Sequence, residues 1–307
     1  SWIKNRDADD DHILQNRVSG VYEYTDLPAN VAETTDTNSV QRFLQQGVQI
    51  GNMDEVNTSG ESFVLWQWAN DGTETTDSGV VGTLNCTYRA NTDAGFSVGT
   101  VEGATGSRTF AHGLGAVPKF VVVKSTSLAR DYYTYHVSVG NTAALDLSAT
   151  ATPDTSANYW QDTTPTSTLI TVGTSSTTFA AGETWKFWAW AEVEGYSKFG
   201  SYTGTGVADG AFINLGFRPA FIMIKGTSAS RSWRIFDSKR LGYNEANNTL
   251  SPTWSSAEAT DAKLDIIATG FKLRSAAQDC NEADVHVYAA FAENPFGGSG
   301  VAQAKAR

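Results

Sequence analysis

The sequence carries one pattern more than once. The segment "GAVPKFVVVKSTSLARDYYTY" (115–135) matches "GFRPAFIMIKGTSASRSWRIF" (216–236), with glycine, proline, phenylalanine and lysine at the same places. The matched lysines are Lys124 and Lys225, and the opening "SWIKNRDADDDHIL" fits the same register with Lys4. A pattern that returns with its landmarks intact indicates one structural unit repeated in tandem. The repeat therefore constrains the fold more than any single motif does.

The downstream ends of the repeats also match. Trp68, Trp190 and Phe291 fall at the same position, and an alanine follows each of them. The segments that carry them are "GESFVLWQWAND" (60–71), "GETWKFWAWAEV" (182–193) and "DVHVYAAFAENPF" (284–296). We predict three units, here called the first, second and third repeats, and a flexible C-terminal tail. Their bounds are residues 1–89, 90–196 and 197–296 for the repeats, and 297–307 for the tail.

The first repeat is predicted to be incomplete at its N-terminal side. The second and third repeats each begin with a segment that precedes the Gly-x-x-Pro turn, "GFSVGTVEGATGSRTFAHGLGAVP" and "KFGSYTGTGVADGAFINLGFRP". The first repeat has no counterpart, and the chain opens without a methionine or a signal-peptide core. Either the chain is the ordered C-terminal part of a longer polypeptide, or another chain supplies the strands. We favour the first explanation.

Local patterns predict an all-β fold. The runs "FVVVK" and "FIMIK" follow turns and are typical of buried strands, whereas "WRIFDS" and "YTYHVSV" alternate as half-buried strands do. Only "SSAEATDAKLDII" (255–267) indicates a helical turn or two. We expect three tandem β-sandwich repeats of jelly-roll or lectin-like form, the first of them N-terminally incomplete.

A tryptophan-rich stretch closes the second repeat. Alternation puts Trp185, Phe187 and Ala189 on one face of a strand and Trp188 and Trp190 on the other. No apolar run is long enough to span a bilayer, which removes a membrane anchor from the alternatives. A solvent-facing carbohydrate platform is the other alternative. Because the first repeat has the same aromatic pattern at the same place, we interpret the stretch as a buried strand.

The net charge and the cysteine content limit the classes of partner and of site that the chain can have. The net charge is −11 and the pI is about 4.8, so nucleic acid and anionic membrane surfaces would be repelled. We expect neither nucleic-acid binding nor membrane insertion. Cys86 and Cys280 are the only cysteines, and they form neither a disulfide framework nor a metal motif.

No catalytic or metal motif has the context that its chemistry needs. "GFSVG" (95–99) matches a nucleophile elbow, but strand and turn patterns follow it instead of a helix. The acidic loop "RDADDDH" (6–12) lacks the glycine and distal glutamate of a calcium loop, so we interpret it as a solvated loop. The histidines have no metal-ligand spacing: His12, His112, His136 and His286. We predict no enzyme activity, no metal and no cofactor.

The recurring lysine has a structural interpretation. Lys4, Lys124 and Lys225 each follow an apolar strand. A charged residue there closes the strand and blocks edge-to-edge pairing of sheets, and we favour this interpretation. A ligand contact used three times is the alternative.

The variable loops contain candidate ligand-binding aromatics. Rings beside Asn, Ser, Thr and Asp suit sugar recognition, and loops on a rigid β scaffold commonly carry binding. The candidates are Tyr132, Tyr133, Tyr159, Trp160, Trp233 and Trp254. The alternative is that these rings plug the ends of each sandwich.

Several blocks of the sequence resemble a repeat family of bacteriophage structural proteins. The blocks include "AHGLGAVPKFVVVK" (111–124), "AEVEGYSKFGSYTGTG" (191–206), "GFKLR" (270–274) and "FAENPF" (291–296). The family comprises tail-fibre-like and other virion proteins abundant in marine phages. The resemblance implies a virion (extracellular) location and a tail fibre or distal tail component without catalytic residues. It also implies a homo-oligomer, with a trimer favoured, that contacts other virion proteins or a host-surface glycan.

Three other functions stay open on the sequence. A purely architectural virion protein, such as a capsid decoration or tail appendage, would use the loops for packing. A depolymerase would need two carboxylates about 5 to 10 Å apart, and Asp131, Asp162 and Asp237 show no such pairing pattern. A bacterial surface adhesin could be built from the same repeats.

Overall fold

The computed structural model describes residues 1–44, 47–70, 72–173, 178–240 and 244–293. The predicted tail at 297–307 lies outside the described residues. Strands make up nearly all the regular structure of the described chain, so the all-β prediction is confirmed.

The strands are numbered along the chain. In the first repeat they are β1 (Trp2–Asn5), β2 (His12–Leu14), β3 (Glu23–Leu27), β4 (Thr34–Thr35), β5 (Val40–Leu44), β6 (Gly47–Ile50), β7 (Phe63–Trp66) and β8 (Thr75–Ser78). Next come β9 (Asn85–Asn91), β10 (Phe96–Glu102), β11 (Arg108–Ala111), β12 (Pro118–Ser125), β13 (Tyr133–His136), β14 (Ala143–Asp146), β15 (Asp154–Thr155), β16 (Leu169–Val172) and β17 (Thr184–Ala191). The third repeat holds β18 (Ser197–Thr203), β19 (Phe212–Asn214), β20 (Pro219–Gly226), β21 (Arg234–Asp237), β22 (Leu264–Ile267), β23 (Gly270–Leu273) and β24 (Val285–Ala292).

Helices are few and short in the described chain. They are α1 (Asp54–Asn57), α2 (Ala157–Trp160) and α3 (Gln278–Asn281), each of four residues. None of the helices in the described residues could cross a membrane. The helical turn predicted within 255–267 is wrong. That stretch holds an isolated bridge from Thr249 to Ala259 and then β22, because backbone partners across the sheet outweigh its weak helix propensity.

Three large antiparallel sheets follow the three sequence repeats. Their strand orders are β4-β3-β2-β1-β7, then β15-β14-β13-β12-β17-β10-β9-β8, then β18-β24-β20-β21. The same central pairing recurs, because β1 pairs with β7, β12 with β17 and β20 with β24. Strands β8 and β9 extend the second sheet, so that sheet draws on chain that precedes residue 90.

Each large sheet has a smaller sheet on one face. The smaller sheets are β5-β6, β11-β16 and β19-β23-β22. Apolar side chains fill the space between the layers of each repeat, as in the contact of Phe110 on β11 with Phe187 on β17. The opposite faces of the three large sheets contribute to one common apolar cluster. Every repeat therefore has its own core and a share in a central core.

Candidate functional site

The closing strands β7, β17 and β24 join the separate cores to the central one. In β17, Trp185, Phe187 and Ala189 belong to the core of the second repeat, whereas Trp188 and Trp190 belong to the central cluster. Strand β17 lies between β10 and β12 and is almost entirely buried. The predicted buried strand with two apolar faces is confirmed.

Three equivalent aromatic residues meet at the centre. The rings of Trp68 and Trp190 are 5.6 Å apart at 71°, and those of Trp68 and Phe291 are 5.4 Å apart at 70°. Trp190 and Phe291 complete the triangle at 6.4 Å and 60°. Edge-to-face contacts at such distances contribute about 0.5–1.5 kcal/mol each beyond the burial of area. One residue of this triangle comes from each sequence repeat, so the three segments of the chain meet at these rings.

A second set of equivalent residues connects neighbouring repeats. Each side chain lies eight positions after the recurring lysine and donates to a backbone carbonyl of another repeat. The bonds run from Tyr132 Oη to Asp26 O (2.8 Å), from Trp233 Nε1 to Asp146 O (2.8 Å) and from His12 Nε2 to Ser251 O (2.9 Å). Asp26, Asp146 and Ser251 are themselves at equivalent positions, as the pairing of the neighbouring residues shows. Tyr132 of the second repeat therefore bonds the first repeat, and Trp233 of the third repeat bonds the second. His12 of the first repeat bonds the third, so the three bonds form a cycle.

Backbone hydrogen bonds follow the same cyclic pattern. The amide of Glu33 donates to Thr126 O at 3.0 Å, which joins the first and second repeats. At the equivalent place between the third and first repeats, Glu258 N donates to Arg6 O at 2.9 Å. The side chain of Glu258 also pairs with Arg6 and with Arg240. The three repeats are therefore closed into a ring by hydrogen bonds and ion pairs as well as by apolar contact.

The recurring lysines are interior residues on strands that have a neighbour on both sides, so the interpretation that they block sheet edges is wrong. Lys4, Lys124 and Lys225 are each 0% exposed. Lys124 Nζ donates to Val31 O at 2.6 Å, in the first repeat, and Lys225 Nζ donates to Thr150 O at 2.7 Å, in the second. A long side chain that ends among backbone carbonyls satisfies acceptors that a turn leaves unpaired.

Burial has an electrostatic consequence for these lysines. It lowers the pKa of Lys124 and of Lys225 to about 8, although nearby aspartates oppose the change. Lys4 bonds Asn5 O at 2.6 Å and Ala8 O at 3.1 Å, and burial lowers its pKa to about 8 as well. The three lysines therefore stabilise loops through hydrogen bonds to backbone carbonyls. Lys124 and Lys225 also bond a neighbouring repeat.

A cavity of about 490 Å³ lies beside the central aromatic triangle. Its floor is apolar and includes Trp68, Trp190, Phe221 and Phe291, and its rim includes Arg17. More than half of the residues that line it belong to the first repeat. Large apolar pockets with a few polar groups are the usual form of small-molecule and peptide sites.

Four of the six candidate loop aromatics are buried. Tyr132 and Trp233 lie in the central core and make the bonds between repeats described above. Trp160 donates from Nε1 to Ala143 O at 3.1 Å, and the ring of Tyr133 stacks on that of Trp185 at 6.1 Å. A sugar has no accessible face on these four rings, because the loops fold inward and the polar tip of each bonded ring finds a partner inside the protein.

The other two candidates are half-buried and lie in different repeats. Tyr159 donates to Asp154 Oδ2 at 2.5 Å. Trp254 lies under Arg234, with the guanidinium carbon 4.2 Å from the ring centroid, and Arg234 also pairs with Asp261 and Asp279. The structure therefore does not bring the six candidates together into one site.

The histidine and serine side chains considered as catalytic or metal-binding candidates also have structural positions. His136 Nε2 lies 3.0 Å from Tyr288 O in the third repeat, and burial lowers the pKa of His136 to about 4. Ser97 of the "GFSVG" motif is buried within β10, which continues to Glu102 with no turn into a helix. No three His, Cys, Asp or Glu side chains of the described chain are grouped as a metal site requires.

The central junction was not predicted from the sequence. A usable signal was present, because His12, Tyr132 and Trp233 occupy one repeat position and all three can donate a hydrogen bond from a ring or hydroxyl group. A donor retained at that position in three copies points to a common acceptor. Nothing local indicates that the acceptor lies in another copy.

Comparison with protein families identifies one match, a domain of unknown function (DUF7483) that covers residues 1–295. The chain therefore belongs to the DUF7483 family, and the match spans all three sequence repeats. Curated proteins give no match, and solved structures give none.

Proposed function

We propose that the chain is a non-enzymatic structural protein of a bacteriophage virion, in which three copies of one two-sheet module close into a ring. The sequence resemblance supports the assignment to a virion. The equivalent hydrogen bonds that link each repeat to the next support the arrangement of three modules in a ring. The jelly-roll or lectin-like form of each module, with the first incomplete, is part of this proposal. An architectural role is the function that the geometry supports best.

The observation that carries the architectural role is the direction in which the loops face. In the second and third repeats the aromatic loops donate to neighbouring repeats or fill a core, as Tyr132, Trp160 and Trp233 do. A receptor-binding module needs accessible aromatic anchors at its loop ends. A protein whose loop aromatics bond to its own chain instead suits a capsid decoration, a tail appendage or the shaft of a fibre.

The predicted homotrimer remains a prediction. A trimeric fibre places three identical modules about one axis, and this chain supplies an approximate threefold arrangement by itself. Light scattering of the purified chain tests the point, with three times the chain mass expected if the prediction holds. A monomer would indicate that the internal repeats take the place of separate subunits.

Purified particles test the virion assignment. Virions of a phage that encodes the chain should retain it after density-gradient purification, with a fixed copy number by quantitative mass spectrometry. Antibody labelling in electron micrographs then distinguishes capsid from tail. Recovery of the chain from a bacterial cell envelope, with none in particles, would contradict the proposal and favour the adhesin.

Attachment to a host glycan is the second candidate function. Trp254 favours it, since its ring is partly exposed and is fixed in orientation by Arg234. If this candidate is right, Trp254→Ala lowers binding of the purified protein to host cells while Trp160→Ala only lowers stability. The architectural role instead predicts that the purified protein neither binds cells nor competes with phage adsorption. Release of reducing sugars from host polysaccharide would indicate a depolymerase and contradict both.

A further inference from the structure

Lys186 occupies a strand position that the other two repeats fill with valine. In β17 it lies opposite the recurring lysine of its repeat, as Val64 does in β7 and Val287 does in β24. Both valines belong to the central apolar cluster. Lys186 is 0% exposed, so its amine is enclosed at a place where its counterparts are apolar.

The enclosed amine meets a carboxyl group of the first repeat. Lys186 Nζ is in contact with Glu33 Oε2. Among the described residues, neither of these two buried atoms has a hydrogen-bond partner. The amide of Glu33 donates to Thr126 O at 3.0 Å, and Lys124 Nζ donates to Val31 O at 2.6 Å. These two bonds hold the loop that carries the carboxyl group against the second repeat.

The charged form of Lys186 is disfavoured where it lies. Burial lowers the pKa of Lys186 to about 7, although Glu23 acts in the opposite direction. Lys124 lies directly opposite on the neighbouring strand, and like charges in a cross-strand pair destabilise a sheet. Two buried ions also lose their hydration, which their mutual attraction only partly restores. The surroundings therefore favour a neutral state of this amine and its partner.

The equivalent junction between the third and first repeats has a different chemistry. Glu258 takes the place of Glu33 there, and it pairs with Arg6 and Arg240. A guanidinium group stays protonated in proteins and does not act as a nucleophile beside a carboxylate. The junction of the first and second repeats instead brings a carboxyl group to a primary amine.

We propose that Lys186 Nζ and Cδ of Glu33 condense to an amide bond that cross-links the second repeat to the first. Nζ gives one proton to the carboxylate and attacks Cδ. The bond from Cδ to one carboxyl oxygen then breaks as a second proton moves from Nζ to that oxygen, which leaves as water. One hydrogen stays on the amide nitrogen, so the reaction needs no oxidant and no further reactant. The Glu33 side chain is 16% exposed, which gives the water a path to solvent.

Proximity and burial both favour this reaction. Well-oriented groups within one molecule react with effective concentrations of about 10⁵–10⁸ M. The product replaces a buried amine and a carboxylate with one neutral amide, which costs less to keep away from water. The cross-link does not depend on the virion assignment.

The mass of the denatured full chain is the direct test. We expect it to be lower than the mass calculated from the sequence by one water molecule. After digestion with trypsin, the peptide of residues 18–42 should be joined to that of residues 131–198. The second peptide stays uncut after Lys186, because trypsin does not cleave after an acylated lysine.

Matched variants assign the bond to its two residues. Lys186→Met and Glu33→Ala should each have the full calculated mass, because each removes one partner. Lys239→Met and Glu258→Ala should keep the deficit of one water, since they change an exposed lysine and the equivalent carboxyl group. Circular dichroism shows whether each variant is folded.

Two results would overturn the proposal. A wild-type mass equal to the calculated one would show that the two side chains form an ion pair only. A deficit of one water that persists in Glu33→Ala would show dehydration at another place, such as a succinimide at Asp209, which precedes Gly210.

Discussion

His12 Nε2 lies 2.9 Å from the backbone carbonyl oxygen of Ser251, which is 239 residues away in the sequence. The other ring nitrogen, Nδ1, accepts from Trp2 Nε1 at 2.9 Å. Because the indole N–H can only donate, Nδ1 carries no proton, and the neutral ring must hold its proton on Nε2. This one side chain joins the start of the chain to its third repeat.

The first prediction concerns the acid sensitivity of this contact. Burial, with a contribution from Lys4, lowers the pKa of His12 to about 3, whereas an unfolded histidine titrates near 6.5. As the pH falls below 6.5, His12 binds a proton in the unfolded chain but not in the folded chain. The free energy of unfolding therefore decreases by about 1.4 kcal/mol per pH unit.

We therefore expect the free energy of unfolding to fall more steeply between pH 6 and pH 4 in the wild type than in His12→Gln. Urea unfolding at several pH values measures the difference. The gap between the two proteins should be constant from pH 7.5 to pH 8.5, which serves as the control. Parallel curves across the acidic range would contradict the assignment.

The second prediction concerns Lys124. Lys124→Met removes the donor to two backbone carbonyls, Val31 O and Arg130 O. Each acceptor left unpaired costs about 1–3 kcal/mol, so the loss of both bonds should lower the free energy of unfolding by about 2–6 kcal/mol. Lys239→Met is the control, because its side chain is exposed and the change should stay within about 0.5 kcal/mol. Equal midpoints in a urea titration would show that Lys124 has no such role.

The third prediction concerns the central aromatic triangle. Trp190→Ala removes contacts with Trp68, Phe96 and Phe291 and should lower the free energy of unfolding by about 3–5 kcal/mol. Trp190→Phe should cost less than Trp190→Ala, since it leaves a smaller cavity and the third repeat has phenylalanine at the equivalent position. Thermal unfolding followed by circular dichroism ranks the three proteins. A larger loss for Trp190→Phe than for Trp190→Ala would be inconsistent with this packing.

The fourth prediction concerns the two thiols. Cys86 and Cys280 are buried and free. Burial raises the pKa of Cys86 to about 11 and raises that of Cys280 further, so neither forms the reactive thiolate at neutral pH. A thiol reagent should label neither cysteine in the native protein and both in denaturant. Rapid labelling of the native chain would show that the cores open readily.

The closing strands were predictable because their information is local. Alternation along "WKFWAWA" (185–191) assigns each side chain to one of two faces, and the return of the pattern in the first repeat indicates burial. The result agrees with both core assignments of β17. The all-β class follows from the same kind of evidence.

The lysines and loop aromatics were misjudged because their partners are distant. An isolated strand ending in lysine gives no sign that Lys124 reaches Val31 in another repeat. The loop around Tyr132 is rich in polar residues, which is typical of exposed segments, yet it folds against Asp26. In both cases the acceptor is a backbone carbonyl, which every residue has and no side-chain pattern marks.

The sequence by itself determined that one strand-rich unit recurs and which side chains share a face within each strand. Those properties depend on the period of the backbone and on neighbours a few positions away. Only the tertiary structure decided that the copies close around Trp68, Trp190 and Phe291, and that a cavity lies beside these rings. The physical reason is that closure depends on contacts between residues far apart in the chain, such as Trp233 with Asp146, 87 positions apart, and Tyr132 with Asp26, 106 positions apart. Local periodicity does not encode such contacts.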